Sequence, residues 1–267
     1  MEKQIIGRGL LAGFVAGVFA FLFARIFVEP QIEQAIGYED GVGAAHEAIE
    51  NAAGVAAHSH GEEGGGFTRA VQMNIGMGLG VLLFSLAIAA LFAVVFAVTY
   101  GRVGDVSARL LSLYIAGGML VSLYIVPSLK YPASPPALSL DETIQQRTLL
   151  YLAMVVLSGA LLIAAVALGR SWVPKLGAWN ATLAAGAAYV VAVAVVMLIL
   201  PTIAETPGPL LDDAGVIVYE GFPADVLYEF RLYSLGTQVV IYATIGLVFA
   251  ALVSKLLDGK RQDALTR

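Results

Sequence analysis

The chain has 267 residues, a formal net charge of −5, 59% hydrophobic and 13% charged residues, and a mean hydropathy of +0.83. Soluble domains are about 45–50% apolar and about 25% charged, so this composition excludes a soluble globular protein and indicates an integral membrane one. The acidic balance speaks against nucleic-acid binding, and the absence of cysteine removes disulfides, thiolate metal sites, iron–sulfur clusters and cysteine nucleophiles together.

A helix needs about 20 mostly apolar residues to cross ~30 Å of hydrocarbon at ~1.5 Å per residue. Six segments meet that requirement, near 5–27, 74–99, 110–126, 149–168, 178–200 and 234–253. They predict an all-α integral membrane protein with a single transmembrane domain over residues 1–267. The connections on one side are 28–73, 127–148 and 201–233.

The first span follows Lys3 and Arg8 in the manner of a signal peptide, but its apolar run is long and Ala24-Arg25-Ile26 is a poor cleavage site. It is therefore read as a retained helix. Gly9, Gly13 and Gly17 recur every four residues along it and permit close approach of a neighbouring helix, in this chain or in a partner. Near its end Arg25 and Glu29 are spaced to pair across one turn, and Pro30 marks the expected stop.

The connection that follows holds all three histidines, in His46-Glu47-Ala48-Ile49-Glu50 and in His58-Ser59-His60-Gly61-Glu62-Glu63. A helical turn would place His46 and Glu50 on one face, whereas His58 and His60 suit an extended segment. Neutral imidazole with carboxylate oxygens matches Co²⁺, Ni²⁺, Zn²⁺ or Cu²⁺ better than Mg²⁺ or Ca²⁺. The candidate metal-capturing set is thus His46, His58, His60, Glu47, Glu50, Glu62 and Glu63. The alternative is a solvated polar loop without a ligand.

His46-Glu47-x-x-Glu50 lacks the second histidine of a zinc-protease signature, and no Gly-x-x-x-x-Gly-Lys-Ser/Thr occurs, so an enzyme is not expected. Gln72 and Asn74 open the second span and Gln238 sits inside the last. Polar groups at such depth face the bundle interior or water. In the second connection Tyr131-Pro132-Ala133-Ser134-Pro135-Pro136 is stiff through its fixed φ angles and suits the rim of a mouth.

Six crossings bring both termini to one face, which then carries ten of the fifteen lysines and arginines. The positive-inside rule places that face in the cytoplasm, with Trp172 and Trp179 as interfacial anchors around Pro174. Sixteen of the twenty acids fall on the outer face, where they raise the local concentration of cations. A weak repeat runs through the outer connections. Pro30, Pro127 and Pro201 each end an outward helix, an acidic stretch follows, and Arg69, Arg147 or Arg231 opens the return. Three repeated helical hairpins would give this pattern.

Several segments carry a resemblance to a known family. They are Arg8-Gly9-Leu10-Leu11-Ala12-Gly13, Phe23-Ala24-Arg25 with Glu29-Pro30, and Arg69 with Gln72 after the histidine connection. Leu129-Lys130-Tyr131-Pro132-Ala133 with Pro135-Pro136, Arg147-Thr148 and Gly177-Ala178-Trp179-Asn180-Ala181 continue the series, and Gly221-Phe222-Pro223-Ala224 through Glu229-Phe230-Arg231 to Ser234-Leu235-Gly236-Thr237-Gln238 complete it. In this order they resemble the CbtA family of predicted cobalt transporter subunits over nearly the whole length, with Ser134 where that family usually has asparagine. The resemblance implies Co²⁺ uptake across the inner membrane, linked to cobalamin supply, with a small single-span, histidine-bearing partner, CbtB.

On that reading the histidine segment captures metal and hands it to Glu29, Glu205 or Glu229 at the bundle mouth, then inward past Gln72, Asn74 and Gln238. No tightly bound cofactor is expected, because Co²⁺ is cargo. The rival readings are a permease for nickel or another divalent cation, and a membrane protein that senses metal or scaffolds a partner without transporting. The oligomeric state is left open.

Overall fold

A computed structural model of the chain describes residues 2–52, 68–104, 106–138 and 141–265. Helix α1 runs from Lys3 to Ala52, α2 from Arg69 to Thr99, and α3 from Ala108 to Lys130. A helical stretch Asp141–Ile199 follows, interrupted at Gly177, whose φ of 75° and ψ of 161° only glycine adopts readily. We number its parts α4 (141–176) and α5 (178–199). They fold back on one another, since the Ser158 and Tyr189 hydroxyls meet at 2.7 Å. Helix α6 spans Ala224–Leu265. Among the described residues five helical stretches, α4 and α5 counted together, are long and apolar enough to cross a membrane, so the fold is that of an all-α membrane protein.

The bundle closes around α1, α2, α3 and α6. Their shared core holds Ala12, Ala16, Phe92, Phe96, Tyr242 and Phe249, with the Phe92 and Phe249 rings packed edge to face. The glycines of α1 make this possible. A Cβ at Gly9 would lie 2.7 Å from the Ala93 Cβ, one at Gly13 2.5 Å from the Ala89 Cβ, and one at Gly17 2.8 Å from the Leu82 Cδ1. The four-residue stripe therefore packs α1 on α2 within the chain. Helices α4 and α5 form a second, thinner layer against the end of α3, around Val126, Met154, Tyr189 and Val193.

Several expected boundaries move. The first helix does not stop near residue 27 at Pro30: residues expected in the connection 28–73 continue it to Ala52. The reason is a π-helical turn, Ala24–Val28, in which the Glu29 amide donates to the Ala24 carbonyl. That register shift lets the ring of Pro30 and its missing N–H fit without breaking the helix. A second π stretch, Leu120–Ile125, precedes Pro127 in the same way, and α3 continues to Lys130. Only Pro201 falls just past a helix end, at Ile199. The cytoplasm-side loop expected around Pro174 is also helical, and the reversal occurs at Gly177 instead.

A small two-stranded sheet, β1 (Leu210–Leu211) with β2 (Ile217–Tyr219), was not expected. Its turn is set by Asp212, whose Oδ1 accepts from the amides of Ala214 and Val216, and by Gly215 at φ 79°. The hairpin leans on the extension of α1, where Tyr38 packs edge-on against Tyr219 and Phe222. Together these pieces cap the end of the bundle opposite the chain termini.

Candidate functional site

That capped end carries the polar chemistry. Glu29 is 2% exposed and follows directly on the π turn of α1. Its Oε1 pairs with Arg69 Nη2. Its Oε2 is buried with no partner among the described residues. Arg69 is held there because Thr68 caps α2, its Oγ1 accepting from the Val71 amide at 3.4 Å. The expected pair of Arg25 with Glu29 is not formed. Arg25 Nε donates instead to Asn74 Oδ1 at 3.3 Å.

Two residues further on, buried Gln31 donates from Nε2 to Glu229 Oε2 at 2.7 Å, which ties α1 to α6. Gln34 Nε2 reaches the other side of the same amide, Gln31 Oε1, at 3.4 Å. Phe230, next to Glu229, packs against Ala24 and Val28, so the polar contact sits above an apolar seam.

Arg147, at the start of α4, is the hub of the second cluster. It reaches Glu205 Oε2 at 2.5 Å, Ser134 Oγ at 3.0 Å and the Pro132 carbonyl. Thr143 Oγ1 donates to Glu205 Oε1 at 2.6 Å, so both carboxylate oxygens are engaged. Arg231 Nε donates to the neighbouring Ala133 carbonyl at 3.1 Å. Pro132, Ser134, Arg147, Glu205 and Arg231 line a cavity of about 60 Å³ with Tyr131 on its wall. Tyr131 donates to the Pro201 carbonyl at 2.7 Å, and its burial raises the phenol pKa. The proline-rich segment is thus clamped by two arginines through backbone carbonyls, which proline leaves without competing amide donors.

The three arginines that open returning segments share this end of the molecule but differ in partners. Arg69 meets a carboxylate, Arg147 a carboxylate and a carbonyl, Arg231 a carbonyl.

Of the metal-capturing set, His46, Glu47 and Glu50 lie on the extension of α1, with His46 and Glu47 exposed. His46 Nδ1 is 3.2 Å from the Val42 carbonyl, which favours the tautomer that leaves Nε2 available as a ligand. His58, His60, Glu62 and Glu63 lie outside the described residues. Among the described residues no group of three or more His, Asp or Glu gathers as a metal site.

The inward residues are dispersed. Gln72 and Asn74 sit in a π stretch, Gln72–Gly76, and are exposed, so the described bundle does not enclose them. Gln238 is half-buried on α6, and its Oε1 has no partner among the described residues. Arg8 Nη1 and Ser85 Oγ are unpartnered in the same sense.

Sequence reasoning missed Gln31 and Thr143. Gln31 meets Glu229 across 198 residues and Thr143 meets Glu205 across 62, and neither spacing leaves a local signal.

Chemically, the two buried carboxylates are not equivalent. Glu205 has Arg147 on one oxygen and Thr143 on the other, whereas Glu29 keeps one oxygen without a partner among the described residues, in a low-dielectric site. No curated protein and no solved structure matches the chain. A family model does: residues 2–254 match the one described as "Probable cobalt transporter subunit (CbtA)", and the chain belongs to that family.

Proposed function

We propose that the chain is the membrane subunit of a divalent-metal uptake transporter, with Co²⁺ as cargo, the capped end facing outward and both termini in the cytoplasm. The observation that carries the mechanism is Glu29 Oε2, a buried carboxylate oxygen at the mouth of the bundle with no partner among the described residues. Arg69 pairs with the other oxygen, so a cation binds there beside a positive charge and weakly enough to leave again. Conduction needs that balance. His46, His58 and His60, with Glu47, Glu50, Glu62 and Glu63, capture hydrated metal above it. Glu229, tied to Gln31, is the next acceptor on α6.

Glu205 takes a different part. Its two engaged oxygens make it the anchor of the proline-rich rim rather than a ligand. The core around Phe92, Phe96 and Phe249 is apolar and packed, so the inward route past Gln238 forms with partner subunits or in a rearranged state. A small single-span, histidine-bearing subunit fits that need.

The test is metal accumulation in cells under limiting cobalt. Replacing His46, His58 and His60 with alanine lowers accumulation of radiolabelled Co²⁺, and excess Ni²⁺ competes less well than unlabelled Co²⁺. Unchanged uptake would remove the histidines from the mechanism, and stronger competition by Ni²⁺ would make nickel the cargo.

A further inference from the structure

Helices α4 and α5 are the least buried of the apolar stretches. They touch where a Cβ at Gly169 would come within 2.9 Å of the Ala185 Cβ. Around that point lies a cavity of about 340 Å³, lined by Leu162, Ala165, Gly186 and Tyr189. Val166 and Val173 on its edge are exposed, so it opens on the membrane-facing surface. Its polar lining is sparse: Thr182, and Arg170 toward the end of the bundle that carries the termini.

Arg170 is exposed and forms no ion pair among the described residues. Its Nη1 donates to the Arg102 carbonyl at 3.2 Å, which steadies the guanidinium beside the loop joining α2 to α3. Trp179, 76% exposed at the start of α5, marks the membrane–water interface toward the turn at Gly177, and the long Arg170 side chain can snorkel toward it.

We propose that this groove binds an anionic phospholipid, with one acyl chain between α4 and α5 and its phosphate on Arg170. Two observations select this occupant. The volume falls in the range of ~300–1,000 Å³ typical of small-ligand pockets, whereas a helix about 10–12 Å wide needs a longer trough. The charge is complementary: a forked guanidinium without a carboxylate partner among the described residues, near the membrane–water interface, suits a phosphate. Gly169 brings the helices together at the floor of the groove, and Gly186, where a Cβ would meet nothing within 4 Å, leaves room for the chain.

The experiment uses the purified full-length protein in detergent. Native mass spectrometry counts retained phosphatidylglycerol and phosphatidylcholine, and circular dichroism confirms the helical content of each variant. The wild type binds phosphatidylglycerol about five-fold more tightly than phosphatidylcholine, the contribution of one basic residue near an anionic surface. Arg170→Gln abolishes the preference but keeps chain binding, and Arg170→Lys retains most of the preference. Gly186→Leu fills the groove and lowers retention of both lipids. Equal binding of the two lipids by the wild type, unchanged retention in Gly186→Leu, or a co-purifying transmembrane partner in place of lipid overturns the proposal.

Discussion

Arg69 and Glu29, forty residues apart in the chain, form an ion pair whose glutamate side chain is 3% exposed and whose arginine is 38% exposed. The carboxylate is held in place by α1 and the guanidinium by the N-terminus of α2, so the pair joins the two helices at the base of the α1 extension. Removing the arginine strands a buried charge, whereas neutralising the glutamate leaves a guanidinium that water can reach. Arg69→Ala therefore costs about 1–3 kcal/mol, reduced from a fully buried pair by the exposure of the arginine, and Glu29→Gln costs less. Thermal unfolding in detergent ranks the two variants; the reverse order would contradict the burial argument.

Arg147 and Glu205 are more deeply sequestered, at 19% and 6% side-chain exposure. Arg147→Met leaves Glu205 with only Thr143 and releases the Pro132 carbonyl, at a cost of about 3–5 kcal/mol. The double variant Arg147→Met, Glu205→Leu is less destabilised than the single one, because no buried charge is left unpaired. Limited proteolysis of the segment 131–136 follows the same order.

The glycine stripe makes a packing prediction. Gly13→Leu forces α1 off α2 and costs about 1–3 kcal/mol or more, since an added Cβ already lies 2.5 Å from Ala89. Gly80→Ala is neutral or stabilising by about 1 kcal/mol, because its Cβ meets nothing within 4 Å and alanine is the better helix former. Expression level and unfolding temperature separate the two.

Tyr131 carries a pH dependence. Its buried phenol has a pKa above the ordinary 10.0 and donates to the Pro201 carbonyl. A group that holds its proton more tightly when folded contributes stability that is full below the unfolded pKa and is lost as pH rises through the folded one. Tyr131→Phe costs about 1 kcal/mol at neutral pH, and its deficit relative to the wild type shrinks above pH ~10. A deficit that grows with pH would contradict the assignment.

The apolar spans are legible in the sequence because a bilayer imposes length and hydropathy on every crossing, and the glycine stripe is legible because four-residue spacing maps onto one helix face. The mouth is only half legible. Proline and polar composition suggest that the first helix ends at Pro30, yet a π turn at Ala24–Val28 absorbs the ring, and Ala35 and Tyr38 find cover against Phe222 and its neighbours. The spacing of Arg25 and Glu29 signals a local pair, but a tertiary partner, Arg69, wins because α2 starts beside the buried carboxylate. Glu205 is expected as an ion acceptor at the mouth, and nothing in its sequence neighbourhood signals that Arg147 and Thr143 each engage one of its oxygens.

The measurement that bears most directly on the account is flux of radiolabelled Co²⁺ into proteoliposomes containing the chain and its partner subunit, comparing Glu29→Gln with Glu33→Gln, an exposed carboxylate on the same helix. Glu29→Gln lowers flux roughly ten-fold or more, equivalent to about 1.4 kcal/mol, and Glu33→Gln keeps wild-type flux. Wild-type flux in a folded Glu29→Gln protein would contradict the account.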